Sequence, residues 1–272
     1  MGATISNYYY FYFLMDERGE IAGVEDAFVM FNNLLGAEFD IYLGQFQISD
    51  PLFKRELRLT FEDYQIYKTN VGQSGKSLSY DRGIMLTYGL PSGTDFVFEL
   101  LNGNGIGEAD AAHNFDNDKY KDVMGRVTQD FSENFRLGFF AWSGRERSAG
   151  VLNKVWMLGP DATINAGEKF QLNFQYVERR DDNPLFVAAG ASEIKTKGAF
   201  GEMIFSPRGD ESKVFLVGLF NWVNSDIDEL DCKSLTGHLS YMLRRNMRLV
   251  GEVTHNWAND TNRLGVGFVS AF

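Results

Sequence analysis

The sequence predicts an all-β chain: an antiparallel transmembrane β-barrel of about 14 strands (12–16), with short turns at one rim and long loops at the other. Three observations predict it. Apolar and polar side chains alternate along segments of roughly ten residues, helical period is nearly absent, and the connections sort by length as the chain proceeds. The longest apolar run, YYYFYFLM at 8–15, is far short of the ~18 residues a membrane-spanning helix needs. Its tyrosines and phenylalanines favour a strand.

Taken in order, the expected strands are 4–15, 21–31, 37–47, 80–90, 94–101, 119–129, 135–143, 151–165, 169–179, 194–205, 213–223, 233–244, 247–257 and 262–272. In the fifth, Phe96, Phe98 and Leu100 oppose Asp95 and Glu99. The ninth places Phe170, Leu172, Phe174 and Tyr176 on one face and Gln171, Asn173 and Gln175 on the other. In the last, Leu264, Val266, Phe268 and Phe272 oppose Arg263, Gly265 and Gly267. One such face suits lipid and the other water. The eleventh, KVFLVGLFNWV, is apolar on both faces and fits this scheme poorly.

The connections at 33–36, 91–93, 130–134, 166–168, 207–212 and 245–246 are turn-like. Those at 49–79, 102–118, 144–150, 180–193 and 224–232 are longer and irregular, and the series is broken only by short links at 16–20 and 259–261. A soluble β-sandwich has no reason to sort its loops this way. A bacterial outer-membrane barrel does, with periplasmic turns and extracellular loops, and the phase puts both termini at the turn rim. The whole chain, 1–272, then reads as a single barrel domain.

Composition narrows the chemistry. The net charge of −11 argues against a nucleic-acid partner. A lone Cys232 leaves no disulfide framework or CxxC site, and without CxxCH the chain cannot attach a c-type haem. His113, His238 and His255 lie far apart and form no ligand pair, so no metal or cofactor is expected. The run Gly72 to Ser77 misses the phosphate-loop pattern, because Asn70 stands where the first glycine belongs. No GxSxG is present, and an enzyme is not expected. Acidic clusters at Asp226, Asp228, Glu229 and Asp231, and at Glu108, Asp110, Asp116 and Asp118, read as solvated loop carboxylates.

The connection 49–79 differs from the others. Its Lys54, Arg55, Arg58, Lys68 and Lys76 outnumber Asp50, Glu56, Glu62 and Asp63, and apolar residues interleave with the charges. A loop of this length without function is uncommon. Folded outward it would be a docking surface; folded inward, which is the expectation, it narrows the lumen with a ring of charge. From the alternation, lumen charges are expected at Asp40, Asp95, Glu99, Arg126, Arg136, Arg248, Glu252 and Arg263, mixed in sign.

The segments GVEDAFVMFNNLLG, GQFQISDPLFKRELRLTFEDYQIYK, VERRDDNP and GVGFVSAF resemble a porin family of Gram-negative bacteria, distantly similar to phosphate-selective porins and to porins associated with multihaem cytochromes. The resemblance implies passive diffusion of small hydrophilic solutes or ions through the outer membrane, as a monomer or homotrimer amid lipid and lipopolysaccharide. It also implies that Phe272 is the terminal aromatic read by the barrel-assembly machinery. The alternative it raises is a barrel sheath around a multihaem c-type cytochrome, every haem supplied by that partner. Members of the family would open with a signal peptide and further strands, whereas this chain opens MGATISNYYY.

Overall fold

A computed structural model describes residues 6–15, 21–48, 59–107, 115–116 and 118–270. They form one antiparallel sheet in which each strand pairs with its neighbours in sequence. The strands are β1 (Ser6–Met15), β2 (Ile21–Asn32), β3 (Phe39–Gln47), β4 (Tyr80–Gly89), β5 (Thr94–Leu101), β6 (Asp122–Ser132) and β7 (Phe135–Ser148), followed by β8 (Val151–Ala166), β9 (Phe170–Asp181), β10 (Ile194–Phe205), β11 (Val214–Ser225), β12 (Cys232–Arg244), β13 (Met247–Asn256) and β14 (Thr261–Ser270). No helix among the described residues is long and apolar enough to cross a membrane.

The two faces of the sheet invert the rule of soluble proteins. On β12, Ser234, Thr236, His238 and Ser240 are buried while Leu235, Leu239, Tyr241 and Leu243 are exposed. On β9, Asn173 and Gln175 are buried while Phe170 and Phe174 are exposed. Large apolar residues bare to the outside over many adjacent strands make a surface that water does not tolerate and lipid does.

The eleventh strand's doubly apolar pattern has a local cause. Its inner residues Val217, Leu219 and Val223 are buried, and Leu219 and Val223 join Tyr64, Ile66, Tyr67 and Phe200 in one hydrophobic cluster. These lumenal residues are therefore covered by chain from the connection between β3 and β4, in which a single helical turn, α1 (Gln65–Lys68), packs on β10 and β11. Even a glycine fits this seat: a Cβ at Gly198 of β10 would meet Ile66 Cδ1 at 2.4 Å.

One expected loop is absent. The residues expected as an irregular connection at 144–150 instead continue the β7–β8 ladder, with Gly144 opposite Val155 and Ser148 opposite Val151. The turn is only Ala149 and Gly150, at φ 49° and 83°, the left-handed pair a two-residue hairpin requires. The polar run GRERS looked like loop because strand residues beyond the lipid have no reason to be apolar. The sixth strand also shifts, running from Asp122 to Ser132 and taking in residues expected in the following turn.

Residues 59–79 touch the inner side of the sheet from β14 to β6. Phe61 lies against Gly265 and Gly267 of β14, where added Cβ atoms would meet its ring at 3.3 Å, and Lys76 reaches Asp122 of β6. A short segment can span so many strands only from inside a curled sheet. Among the described residues no ladder joins β14 to β1. The outward residues of β14 are accordingly bare: Leu264, Val266 and Phe268 are 74%, 81% and 67% exposed, against 49% for Leu239 and 53% for Val253.

Candidate lumen site

The inward segment is fixed at three points. At its start, the backbone N–H groups of Phe61 and Glu62 donate to Glu252 Oε2 and Oε1 of β13 at 2.7 and 2.8 Å. The same carboxylate lies 2.9 Å from His238 Nδ1 of β12, and Arg263 of β14 bonds Glu62. In the middle, the Tyr64 ring stacks on Phe200 with centroids 4.2 Å apart. Its hydroxyl donates to Glu202 Oε1 at 3.2 Å, and Tyr67 bonds Gln175 of β9. Asn221 of β11 both accepts from Gln65 N (3.1 Å) and donates to Asp63 O (3.0 Å).

At the far end, buried charges take over. Lys76 Nζ sits 2.8 Å from Asp122 Oδ2, with both side chains fully buried. Asp122 also accepts from Trp142 Nε1 at 3.0 Å. Arg179 of β9 donates to Lys76 O (2.8 Å) and Ser74 Oγ (2.9 Å) while paired with Asp181 at 2.7 Å. Gly75 N donates to Glu146 Oε2 of β7 at 2.9 Å. Buried charges so satisfied cost little while complete and much when one member is removed. The segment is therefore held in place rather than draped.

Nearer the turn rim, the inner faces of β5 to β8 carry a ladder of mixed charge. Arg136 bonds Asp130 and lies 3.9 Å from Asp95, and Arg126 Nη2 lies 3.4 Å from Asp161 Oδ1. Asp95, Asp130 and Arg136 are partly exposed, so this ladder meets solvent in the lumen.

Three of the expected lumen charges, Asp95, Arg126 and Arg136, thus come together, joined by Asp130 and Asp161. Asp130 was hidden by its apparent turn position, and Asp161 by the adjacent Pro160, which breaks the look of a strand. Arg248 shares the inward parity of Val250 and Glu252 but stands apart from the ladder, near the turn at 245–246. Glu99 points inward and is fully buried, so it lines no path. Glu252 anchors the inward segment instead of facing solvent. Asp40 accepts from Asn33 N at 2.8 Å beside a turn. Lys54, Arg55, Arg58 and Phe272 lie outside the described residues. Lys76 is among the charges expected on the inward connection, but it is a buried anchor and not part of an open ring; its partners Asp122, Glu146, Arg179 and Asp181 carry no signal, since nothing in sequence links residues so far apart.

No family model and no curated relative matches the sequence. Solved structures do match. An OmpT loop-deletion variant, an outer-membrane protein of Vibrio cholerae, aligns over 95% of this chain and 82% of its own at a TM-score of 0.66 and 12% identity. The anion-selective porin from Comamonas acidovorans aligns over 90% and 73% at 0.63 and 12%. A porin refined at 1.8 Å resolution aligns over 91% and 81% at 0.61 and 14%. The chain has the porin fold. At these identities the likeness speaks for architecture alone. The outer-membrane porin fold accounts for the lipid-facing apolar residues and the alternating connections described above.

Proposed function

We propose that residues 1–272 form a single closed barrel in the bacterial outer membrane, a non-enzymatic channel for passive diffusion of small hydrophilic solutes or ions. The observation that carries this reading is the inward segment: a stretch of chain pinned along the inner wall, above a ladder of partly exposed lumenal charges, is a constriction with an aqueous approach. Asp95, Arg126, Arg136, Arg248 and Asp130 line the approach, with Asp161 buried behind Arg126, and we assign Lys54, Arg55 and Arg58 to the constriction on their charge alone. A sheath around a multihaem cytochrome would need the space that Tyr64, Ile66 and Tyr67 occupy. The trimeric form of OmpT from Vibrio cholerae supports a homotrimer as the assembled state. Outer-membrane lipid and the barrel-assembly machinery, reading Phe272, are its remaining partners.

Reversing Lys54, Arg55 and Arg58 to glutamate is expected to shift the single-channel reversal potential under a salt gradient towards cation preference, because low-dielectric walls strengthen fixed charge. On an outward loop the same charges would be screened over ~8 Å. An unchanged reversal potential and conductance in planar bilayers would remove the constriction role.

Closure is tested separately. If β14 completes the barrel by pairing with β1, all its amides from Asn262 to Val269 should be protected in hydrogen exchange, since an open edge in lipid leaves every second donor unsatisfied. Fast exchange at alternate amides would show the edge to be open.

A further inference from the structure

The inner wall at β2 and β3 carries aromatic side chains where a barrel interior is ordinarily polar. Tyr42 of β3 points into the lumen: the adjacent Leu43 and its partner Ile84 are exposed on the outer face, while Tyr42 is half-buried and packs against the cluster under the inward segment. Phe28 of β2 shares that inner face, its ring centroid 5.3 Å from that of Tyr42 in a tilted pair, and Met30 stands opposite Tyr42. Opposite Phe28 is Gly44, where a Cβ would come within 3.1 Å of Phe28 Cβ and 2.4 Å of Ala27 O. The glycine leaves the aromatic pair its place. Phe28, Met30 and Tyr42 are all half-buried, so part of this apolar platform stays open to lumenal water, at a cost that a ligand with an apolar face would recover.

Hydrogen-bonding groups follow on the same wall. Asp40 shares the parity of Tyr42 and heads a row that the ladders continue through Thr87 and Val97 to Arg126. From β3 to β6 that row covers about 14 Å at the usual strand spacing. Beside it stands the ladder of Asp95, Asp130 and Arg136. Its guanidiniums are already held by carboxylates: Arg126 Nη2 is 3.4 Å from Asp161 Oδ1, and Arg136 bonds Asp130 and lies 3.9 Å from Asp95. Charges paired in this way offer a free ion little net attraction, yet their remaining N–H groups and lone pairs make strong hydrogen bonds to neutral groups.

Resting on the channel reading above, we infer that this wall binds neutral saccharides of two or three linked pyranose rings. One ring sets its flat C–H face on Tyr42 and Phe28, as apolar faces pack on aromatic ones. The hydroxyls of the others meet Asp40, Thr87 and the Arg126 and Arg136 ladder. A flat apolar platform followed by donors and acceptors of both signs fits a solute with an apolar face and a rim of hydroxyls. An acyclic polyol has the hydroxyls without the face, and an aromatic amino acid has the face without the hydroxyls.

The test places the refolded full chain in planar bilayers and titrates its potassium chloride current with cellotriose, sorbitol and phenylalanine. Cellotriose should give a saturable block at a concentration at least tenfold below that needed of either other solute. Replacing Phe28→Leu together with Tyr42→Leu should raise the half-blocking concentration about tenfold, and Tyr42→Leu alone about threefold should the double variant not fold. Tyr42→Phe, which keeps the ring, should block as the wild type does, and so should Leu43→Ala on the outer face. Sorbitol or phenylalanine blocking as well as cellotriose overturns the inference, as does an unchanged block in Tyr42→Leu. Ion conductance without any saccharide block overturns this inference and leaves the channel reading standing, whereas a wild type that conducts no ions overturns both.

Discussion

Replacing Asp122 with alanine is expected to destabilise the folded protein by about 3–5 kcal/mol, because it strands Lys76 as an uncompensated buried charge. Lys76 and Asp122 are 2.8 Å apart with no exposed side-chain surface, so neither water nor salt can substitute for the lost partner. The double replacement Lys76→Met, Asp122→Leu should recover most of the loss, since apolar residues of similar volume often replace a buried pair without penalty. By contrast Asp116→Ala, which breaks the exposed pair with Lys121, should cost less than about 1 kcal/mol. The measurement is a denaturant titration of folding into lipid vesicles. A loss at Asp122 no larger than at Asp116 would show that the pair does not hold the inward segment.

A second large effect is expected on the opposite face. Arginine at Leu172, the second position of β9's outward row, should cost up to about 2–4 kcal/mol of stability in bilayers, the value for a charge at the lipid midplane, falling with its distance from that plane. Arginine at Gln171, the inward neighbour, should cost far less. Asn173 is a poor comparator despite its inward parity, because its side chain donates to Glu202 at 3.0 Å and is fully buried. Equal losses at Leu172 and Gln171 would contradict the assignment of faces.

These two effects mark what the sequence does and does not make legible. The faces of β9 and β12 can be read directly, because a period of two survives wherever one side meets lipid and the other meets water. The β7–β8 extension could not, since strand residues above the lipid lose the apolar half of that signal and look like loop. The apolar inner face of β11 was visible as an anomaly, but its cause lies more than a hundred residues away in Tyr64 and Ile66. The same holds for the site: the inward parity of Asp95, Arg126 and Arg136 follows from alternation, whereas their pairing with Asp130 and Asp161 depends on register. The bond between Lys76 and Asp122 depends on the path of a segment without regular structure.

The contact of Phe61 and Glu62 with Glu252 also sets an order of events. The partners are 191 and 190 positions apart in sequence. Contacts so remote in sequence form slowly, after the loop-closure entropy has been met. A nascent barrel lacking β13 and β14 holds the segment only at its tyrosines and its buried charges, with its root unattached. The Glu252 anchor therefore requires β13 to be in place, whereas the Lys76 anchor requires only β6.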